Sequence, residues 1–572
     1  VSTSAGDPPP VRPAPLSRRD RVEAAGIQGL GTARAALIAH LLSLAGGLAV
    51  LLHYGSRQWF FTDEWEFITR NLPGPDRLGL FVPHNEHWST IPILLYRVLF
   101  AAFGLHSYVP YILVLVVLHV TAAHLIWRLA VRTGASPWIA TAVAAVFLLL
   151  GVGWEQMIAA FQIGFSLSLV CGLAWLLITD LDLPAAATVL FGWALGVAAS
   201  MSSGIGIPMI GAVAVAVLAR RGPRAALVAA SVPTLANVAW YAAVHPRATL
   251  PSTGHQLWML PQFVWRGLSA SADGALGPPV VGSLLLVALF VWLAIRLRSV
   301  SPVAVGCASG AVFLFILVGY GRISLGVDQA AASRYLYLAT ALLACPAAVA
   351  LSSAARQWVR AEALLVAALA LSTLHGAYVL RQNIRVQHAI EASDRAVVMA
   401  AARVVSSGAT LLGSQPDPLF GPDIDVSDLR NLVQTGALTP DGANDPGVLL
   451  TVESRVEMSS GPAPALTGPP PSLQVLDGAS SGSGSCHVQP PAGGPSRVRV
   501  AFTRPAAFSV SADRSVDVTS VLTSASTGTA AAPSVTYHLR AGTALWISVS
   551  VPGGSLEFGA PGPVVYNGTA GC

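Results

Sequence analysis

Runs of about twenty apolar residues, separated by short polar stretches, recur along the first two thirds of the chain. Twenty helical residues cover ~30 Å, the thickness of a bilayer's hydrocarbon core. Spans are predicted near 33–54, 107–130, 136–153, 158–178, 184–201, 204–219, 225–244, 276–296, 302–320, 335–353 and 361–380, about eleven in all. The stretch Ile91–Phe103 is interrupted by Pro92 and Arg97 and reads as a helix lying on the membrane. Beyond residue 383 the pattern changes. Residues 383–458 mix polar and helical-looking runs such as Arg395–Val405, and 459–496 are rich in Gly, Ser and Pro, as a linker would be. From Arg497 the apolar positions alternate: Val498, Val500 and Phe502; Val516 and Val518; Val535, Tyr537 and Leu539; then Leu545–Val551. Period two between turn-forming clusters predicts an antiparallel β-sandwich over 497–572.

Arginine placement orients the spans. Arg18, Arg19 and Arg21 precede the first, which puts residues 1–32 in the cytoplasm as a tail ahead of a retained helix rather than a signal peptide. Alternation then places Arg128 and Arg132, Arg220, Arg221 and Arg224, Arg296 and Arg298, and Arg356 and Arg360 on the same side. An odd span count sends the C-terminal domain outside. Cys486 and Cys572 bracket the alternating segment on that oxidising side and are candidates for a disulfide. Cys171, Cys307 and Cys345 fall in spans, where they pack as small apolar groups.

Composition agrees. Of 572 residues, 53% are apolar and 11% charged, with a mean hydropathy of +0.62, against roughly 25% charged in an ordinary globular chain. This excludes a disordered chain, a coiled coil, a disulfide scaffold and a simple soluble enzyme. All 33 basic residues are Arg, and with the high Ala, Gly and Pro content this suggests a GC-rich bacterial genome. The net charge of +5 is scattered among loops and does not mark a nucleic-acid partner.

The few charges sort by side. The first outward loop, 55–106, holds Asp63, Glu64, Glu66, His84, Asn85, Glu86 and His87 among Trp65, Phe81 and Trp88. The next carries Trp154, Glu155, Gln156 and Gln162; a short turn offers Met201–Gly204; the last reads GRISLGVDQAAASRY, with Arg322, Asp328, Arg334 and Tyr335. Asp63 and Glu64 follow span one at the interface, where low dielectric raises a carboxylate's pKa toward that of a general base; Thr62-Asp63-Glu64 also resembles a helix start. On a helix, His84 and His87 would share a face and could hold a metal; the alternative is a hydrogen-bonding lining for a polar substrate. Guanidinium forks of Arg322 and Arg334 suit phosphate oxygens, or they pair with Asp328 or the first-loop carboxylates.

An acidic pair after the first span, a second polar cluster in the same outer loop and an arginine-bearing loop before a late span together resemble the GT-C superfamily of membrane glycosyltransferases. That resemblance implies an all-α polytopic bundle with a C-terminal extracytoplasmic domain that is sometimes carbohydrate-binding, as in the actinobacterial arabinofuranosyl- and mannosyltransferases that serve cell wall biogenesis. It implies a polyprenyl-phosphate sugar donor, a cell-envelope glycan or lipid acceptor, and transfer outside the cytoplasm at the plasma membrane. In the implied inverting displacement, Asp63 or Glu64 is the base. Arg334, with Arg322 and Tyr335, meets the phosphate, and His84, Asn85, Glu86, His87, Trp88, Glu155, Gln156 and Gln162 position hydroxyls. Trp65, Trp88 and Trp154 offer faces for sugar rings. No cofactor is required; a divalent metal, Mg or Mn, is allowed. The rival readings are a lipid-linked polysaccharide polymerase, a flippase or transporter, and a non-catalytic wall-binding protein.

Overall fold

The computed structural model describes residues 18–69, 79–245, 256–356, 360–406, 423–440, 456–459, 470–482, 484–503, 506–524, 535–549, 554–570 and 572. Parts of the predicted tail (1–17), of the mixed segment (407–422 and 441–455) and of the predicted linker (460–469) lie outside these residues.

Each predicted span coincides with a helix. In chain order the helices are α1 (Arg18–Gly55), α2 (Glu64–Thr69), α3 (Thr90–Phe103), α4 (Val109–Arg132), α5 (Pro137–Leu148), α6 (Glu155–Ile158), α7 (Ile163–Thr179) and α8 (Ala185–Ser202). There follow α9 (Gly206–Arg221), α10 (Pro223–Val244), α11 (Leu260–Leu276), α12 (Val281–Arg296), α13 (Pro302–Arg322), α14 (Ser333–Ala355), α15 (Ala361–Ser406) and α16 (Val426–Gln434). Among the described residues eight helices are long and apolar enough to cross a membrane, or nine if the bent pair α11–α12 counts as one span. Two predicted spans fall short: α5 has 12 residues and α9 has 16, or ~18 and ~24 Å. The bundle keeps an apolar exterior, with Leu42, Leu227, Leu284, Ile295 and Leu364 all exposed. Such a surface is stable only against lipid, so this is a multi-pass membrane protein.

Two features depart from the hydropathy reading, at α11 and α15, and one agrees with it. α3 is a separate 14-residue apolar helix, as its interruptions suggest. α11 precedes the span predicted at 276–296 and meets α12 at a bend of 115°. Arg266 and Asp273 dilute its hydropathy, and Asp273 then closes the bend, accepting the Ser283 N–H at 2.8 Å and the Ser283 hydroxyl at 2.7 Å. α15 runs 46 residues, well past the predicted end at 380 and through the Arg395–Val405 run.

At one end of the bundle Asp180 joins Arg132 (3.1 Å) and Arg220, and Arg356 donates to the Gly134 carbonyl at 2.9 Å. The residues of the loops predicted to face outward gather at the other end of α4, about 36 Å away along its 24 residues.

The C-terminal strands are β1 (Val456–Ser459), β2 (Ser472–Asp477), β3 (Ala479–Ser481), β4 (Ser485–Gln489), β5 (Ser496–Phe502), β6 (Ala506–Ser511), β7 (Val516–Ser524), β8 (Val535–Leu539), β9 (Ala544–Val549), β10 (Gly554–Ala560) and β11 (Val564–Asn567). They form two antiparallel sheets, β1-β9-β6-β11-β4-β3 and β2-β5-β10-β7-β8. Both sheets feed one core, with Val498, Val500 and Leu556 from one and Phe508, Val510 and Tyr566 from the other. The sandwich therefore starts before residue 497. β2, β3 and β4 occupy much of the predicted linker 459–496, because Leu473, Cys486 and Val488 turn inward from a Gly- and Ser-rich sequence.

Cys486 and Cys572 are bonded, with Cα atoms 5.2 Å apart and 86 positions between them in sequence. A loop of that length gives a stabilisation of about 2–5 kcal/mol. Cys486→Ser should therefore release the C-terminal domain to limited proteolysis at lower temperature, with the transmembrane fragment unchanged; equal resistance would show that the bridge adds nothing.

Candidate functional site

Residues from four separate loops at one end of the bundle line one polar cavity of about 130 Å³: Asp63, His84, Asn85 and His87; Gln162; Ser202 and Ser203; Arg322, Arg334 and Tyr335. Phe67, Phe161 and Phe165 supply its apolar wall. Its volume falls below the ~300–1,000 Å³ of ordinary ligand pockets, which suits one ring-sized group. Asp63 is the one carboxylate in the lining among the described residues.

Two non-glycine residues in the left-handed region shape the site: Thr62 at φ 44° and Asn85 at φ 51°. A branched side chain is costly there, and the turn at Thr62 sends the adjacent acids in opposite directions. Asp63 faces the cavity. Glu64 is 1% exposed; it accepts the Tyr96 hydroxyl at 2.8 Å and the Phe61 N–H at 3.0 Å, and the Tyr108 hydroxyl lies 3.2 Å from both its oxygens. Tyr108 in turn accepts the Ala160 N–H at 2.7 Å. Glu64 is therefore a positioning residue that ties the Asp63 turn to α3, α4 and the segment before α7. Its assignment as an alternative base is corrected, because its oxygens are committed away from the cavity.

Burial is the largest cause acting on both acids. It raises the Asp63 carboxyl above its ordinary value; His84 opposes this, Glu66 adds to it and Arg334 opposes it. It pushes Glu64 up to about 8, against the tyrosine and backbone hydrogen bonds. A carboxyl raised in this way holds its proton in the folded state after the unfolded chain has released it. Its contribution to stability is full below its ordinary value of 4.5 and is lost as pH rises toward about 8. Thermal stability should fall between about pH 5 and about pH 7.5, and Glu64→Gln should flatten that slope. An unchanged slope in the Gln variant would show that Glu64 does not carry it.

The HNEH segment is a tight turn, not the helix on which two histidines would share a face. The His84 and His87 backbones pair at 3.1 and 2.9 Å. His84 is 3% exposed, with Nδ1 2.5 Å from Glu66 Oε2. His87 Nδ1 accepts the Gly204 N–H at 3.3 Å, which leaves the proton on Nε2 of the neutral ring. Burial, the largest cause, pushes His87 down to about 4. Among the described residues no group of three or more His, Cys, Asp or Glu side chains is placed to hold a metal.

The arginines differ. Both terminal guanidinium nitrogens of Arg322 donate to the Glu86 carboxylate, at 3.0 and 2.8 Å; Asp328 pairs instead with Arg266 at 3.1 Å. Glu86 therefore acts through Arg322. Arg334 has a longer contact, 3.5 Å to Glu155 Oε2, and lies 5.0 Å over the Tyr335 ring. Arg334 is the cation with more freedom to take up a ligand anion, and Glu155 reaches the site by holding it.

Gln156 is fully buried and away from the lining; its Nε2 donates to Gln162 Oε1 at 2.9 Å, and the Ser166 hydroxyl donates to its Oε1 at 3.0 Å. It holds Gln162 at the cavity. Trp65 is fully buried against Trp59 and Phe60, and Trp88 stacks on Trp240 at 5.6 Å. Neither presents a face to a sugar, and Trp154 is not in the lining. Phe161 and Phe165, overlooked in the sequence, flank Gln162 with the four-residue spacing that puts two rings on one helical face.

No protein-family model matches the chain, and no curated protein matches it by sequence. Among solved structures it is similar to the crystal structure of ArnT from Cupriavidus metallidurans bound to undecaprenyl phosphate. The TM-score is 0.46 and the identity 16%, over 69% of this chain and 84% of that one. The apo structure of the same protein gives 0.44 and 16%, over 66% and 82%. The cryo-EM structure of the arabinosyltransferase EmbB from Mycobacterium smegmatis gives 0.33 and 11%, over 92% and 64%.

Proposed function

We propose that the chain is a membrane glycosyltransferase that moves a sugar from a polyprenyl-phosphate donor to a cell-envelope glycan or lipid acceptor. One observation supports this: loops far apart in sequence bring Asp63, the one carboxylate in the cavity lining among the described residues, to the same small chamber as Arg322 and Arg334. Arginine placement at the opposite end supports an extracytoplasmic position for the chamber.

Asp63 removes the proton from the acceptor hydroxyl as its oxygen attacks the anomeric carbon. The bond from that carbon to the phosphate oxygen breaks, and polyprenyl phosphate leaves with one more negative charge than it carried as the diester. Arg334 meets that charge, with Arg322 held beside it by Glu86. His87, through Nε2–H, and Gln162 and Asn85 hold hydroxyls, while Phe161 and Phe165 bound the ring. The leaving group is a monoester with less charge to neutralise than a nucleotide diphosphate, so neither Mg nor Mn is required for this step.

A transporter needs its coupling charges near midplane, often at broken helices. Asp273 does lie at such a break, but both its oxygens are taken by Ser283, so it closes the bend. One-step displacement predicts that the transferred sugar has the opposite anomeric configuration to the donor. Proton NMR of the product tests this, and retention would overturn the single-step mechanism.

A further inference from the structure

A second pocket lies at the same end of the bundle, outside the Asp63 cavity. Its volume is about 270 Å³, and its lining includes His53, Arg57 and Gln58 from the end of α1 and Arg381, Arg385 and His388 from α15. Among the described residues no carboxylate is in the lining. The walls are fixed to each other: the Trp59 N–H donates to Glu391 Oε2 at 3.0 Å, and the Arg395 guanidinium lies 5.8 Å over the Trp59 ring. Asn383, between the two α15 arginines, donates to the Gly151 carbonyl at 3.1 Å.

Three observations point to a ligand. Arg381, Arg385 and His388 follow at i, i+4 and i+7 on one helical face and join Arg57 in a cationic cup whose lining holds no carboxylate among the described residues. Gln58 is 4% exposed, and neither its side-chain nitrogen nor its oxygen has a hydrogen-bond partner among the described residues. A buried amide left so is costly unless something in the pocket meets it. The third observation is depth. From Ala361, twenty residues of α15 cover ~30 Å, so Arg381 stands at the edge of the apolar layer. The same face continues below it as an exposed stripe, Leu364, Leu371, Leu374 and Tyr378.

We infer that this pocket binds the phosphate of an anionic phospholipid. The phosphate sits among Arg57, Arg381 and Arg385, whose guanidinium forks match its oxygens, and Gln58 donates its amide. An acyl chain lies along Leu374, Leu371 and Leu364, with Tyr378 at the interface. The site is separate from the proposed transfer chemistry and does not depend on it.

Native mass spectrometry of the detergent-purified full chain, titrated with phosphatidylglycerol, tests the inference. Wild type should retain one lipid that Arg381→Ala/Arg385→Ala binds at least tenfold more weakly. Gln58→Leu, which keeps the charge, should also weaken retention. Phosphatidylcholine, without net charge, should not displace the bound lipid. Equal retention by wild type and the double variant would overturn the site. Retention of added polyprenyl phosphate but not of phosphatidylglycerol would overturn the assignment to a phospholipid.

Discussion

Asp63→Asn should reduce sugar transfer by about 10²–10⁴-fold, the range for loss of a positioned general base, while donor binding stays near wild type. The substitution keeps size and removes only the capacity to take a proton. Glu64 cannot substitute, because Tyr96, Tyr108 and the Phe61 N–H hold it away from the cavity. Since burial raises the Asp63 carboxyl, the wild-type rate should rise with pH through a value above the ordinary 3.8, where the base becomes ionised. The Asn variant should lack that limb. A variant with wild-type turnover and an unchanged pH profile would remove Asp63 from the mechanism.

Arg334→Ala should cost about 10²–10³-fold in turnover, the scale for losing one group aimed at developing charge. Glu155→Gln should have a smaller effect, because it loosens Arg334 without removing it. Arg334→Lys should restore only part of the rate, since an ammonium cannot present two parallel N–H groups. Comparing turnover with donor affinity separates the roles: Arg334 acting on the departing phosphate lowers kcat more than it raises KM. Full rescue by Lys would mean that Arg334 supplies charge alone, and an unaltered Ala variant would place the phosphate elsewhere.

The membrane bundle was legible because each span leaves a local trace: about twenty apolar residues with arginines at one end. α11 was not, since Arg266 and Asp273 interrupt its pattern and its end is set by the contact with Ser283. The alternation at Val498, Val500 and Phe502 marked the sandwich. Its strands at 472–489 were hidden because turn-rich composition and edge-strand composition look alike. The rim residues were legible by type and side, but their roles were not. Which neighbour of the Asp63–Glu64 pair faces the cavity depends on Tyr96 and Tyr108, 32 and 44 positions from Glu64. The partner of Arg322 is 236 positions away. Such pairings are decided by the fold, and no spacing rule encodes them. Trp65 and Trp88 show the converse: aromatic residues beside a polar loop read as sugar platforms, yet both pack in the bundle.

In the proposed reaction the Asp63–Arg334 cavity breaks the bond between a sugar and polyprenyl phosphate. Its most direct test is a proteoliposome assay with polyprenyl-phosphate sugar labelled separately in sugar and lipid, together with a cell-envelope acceptor. One polyprenyl phosphate should be released for each sugar that appears on the acceptor, with both products lost together in Asp63→Asn. If the doubly labelled lipid instead crossed the bilayer intact, with no free polyprenyl phosphate formed, the protein would be a translocator and not a transferase.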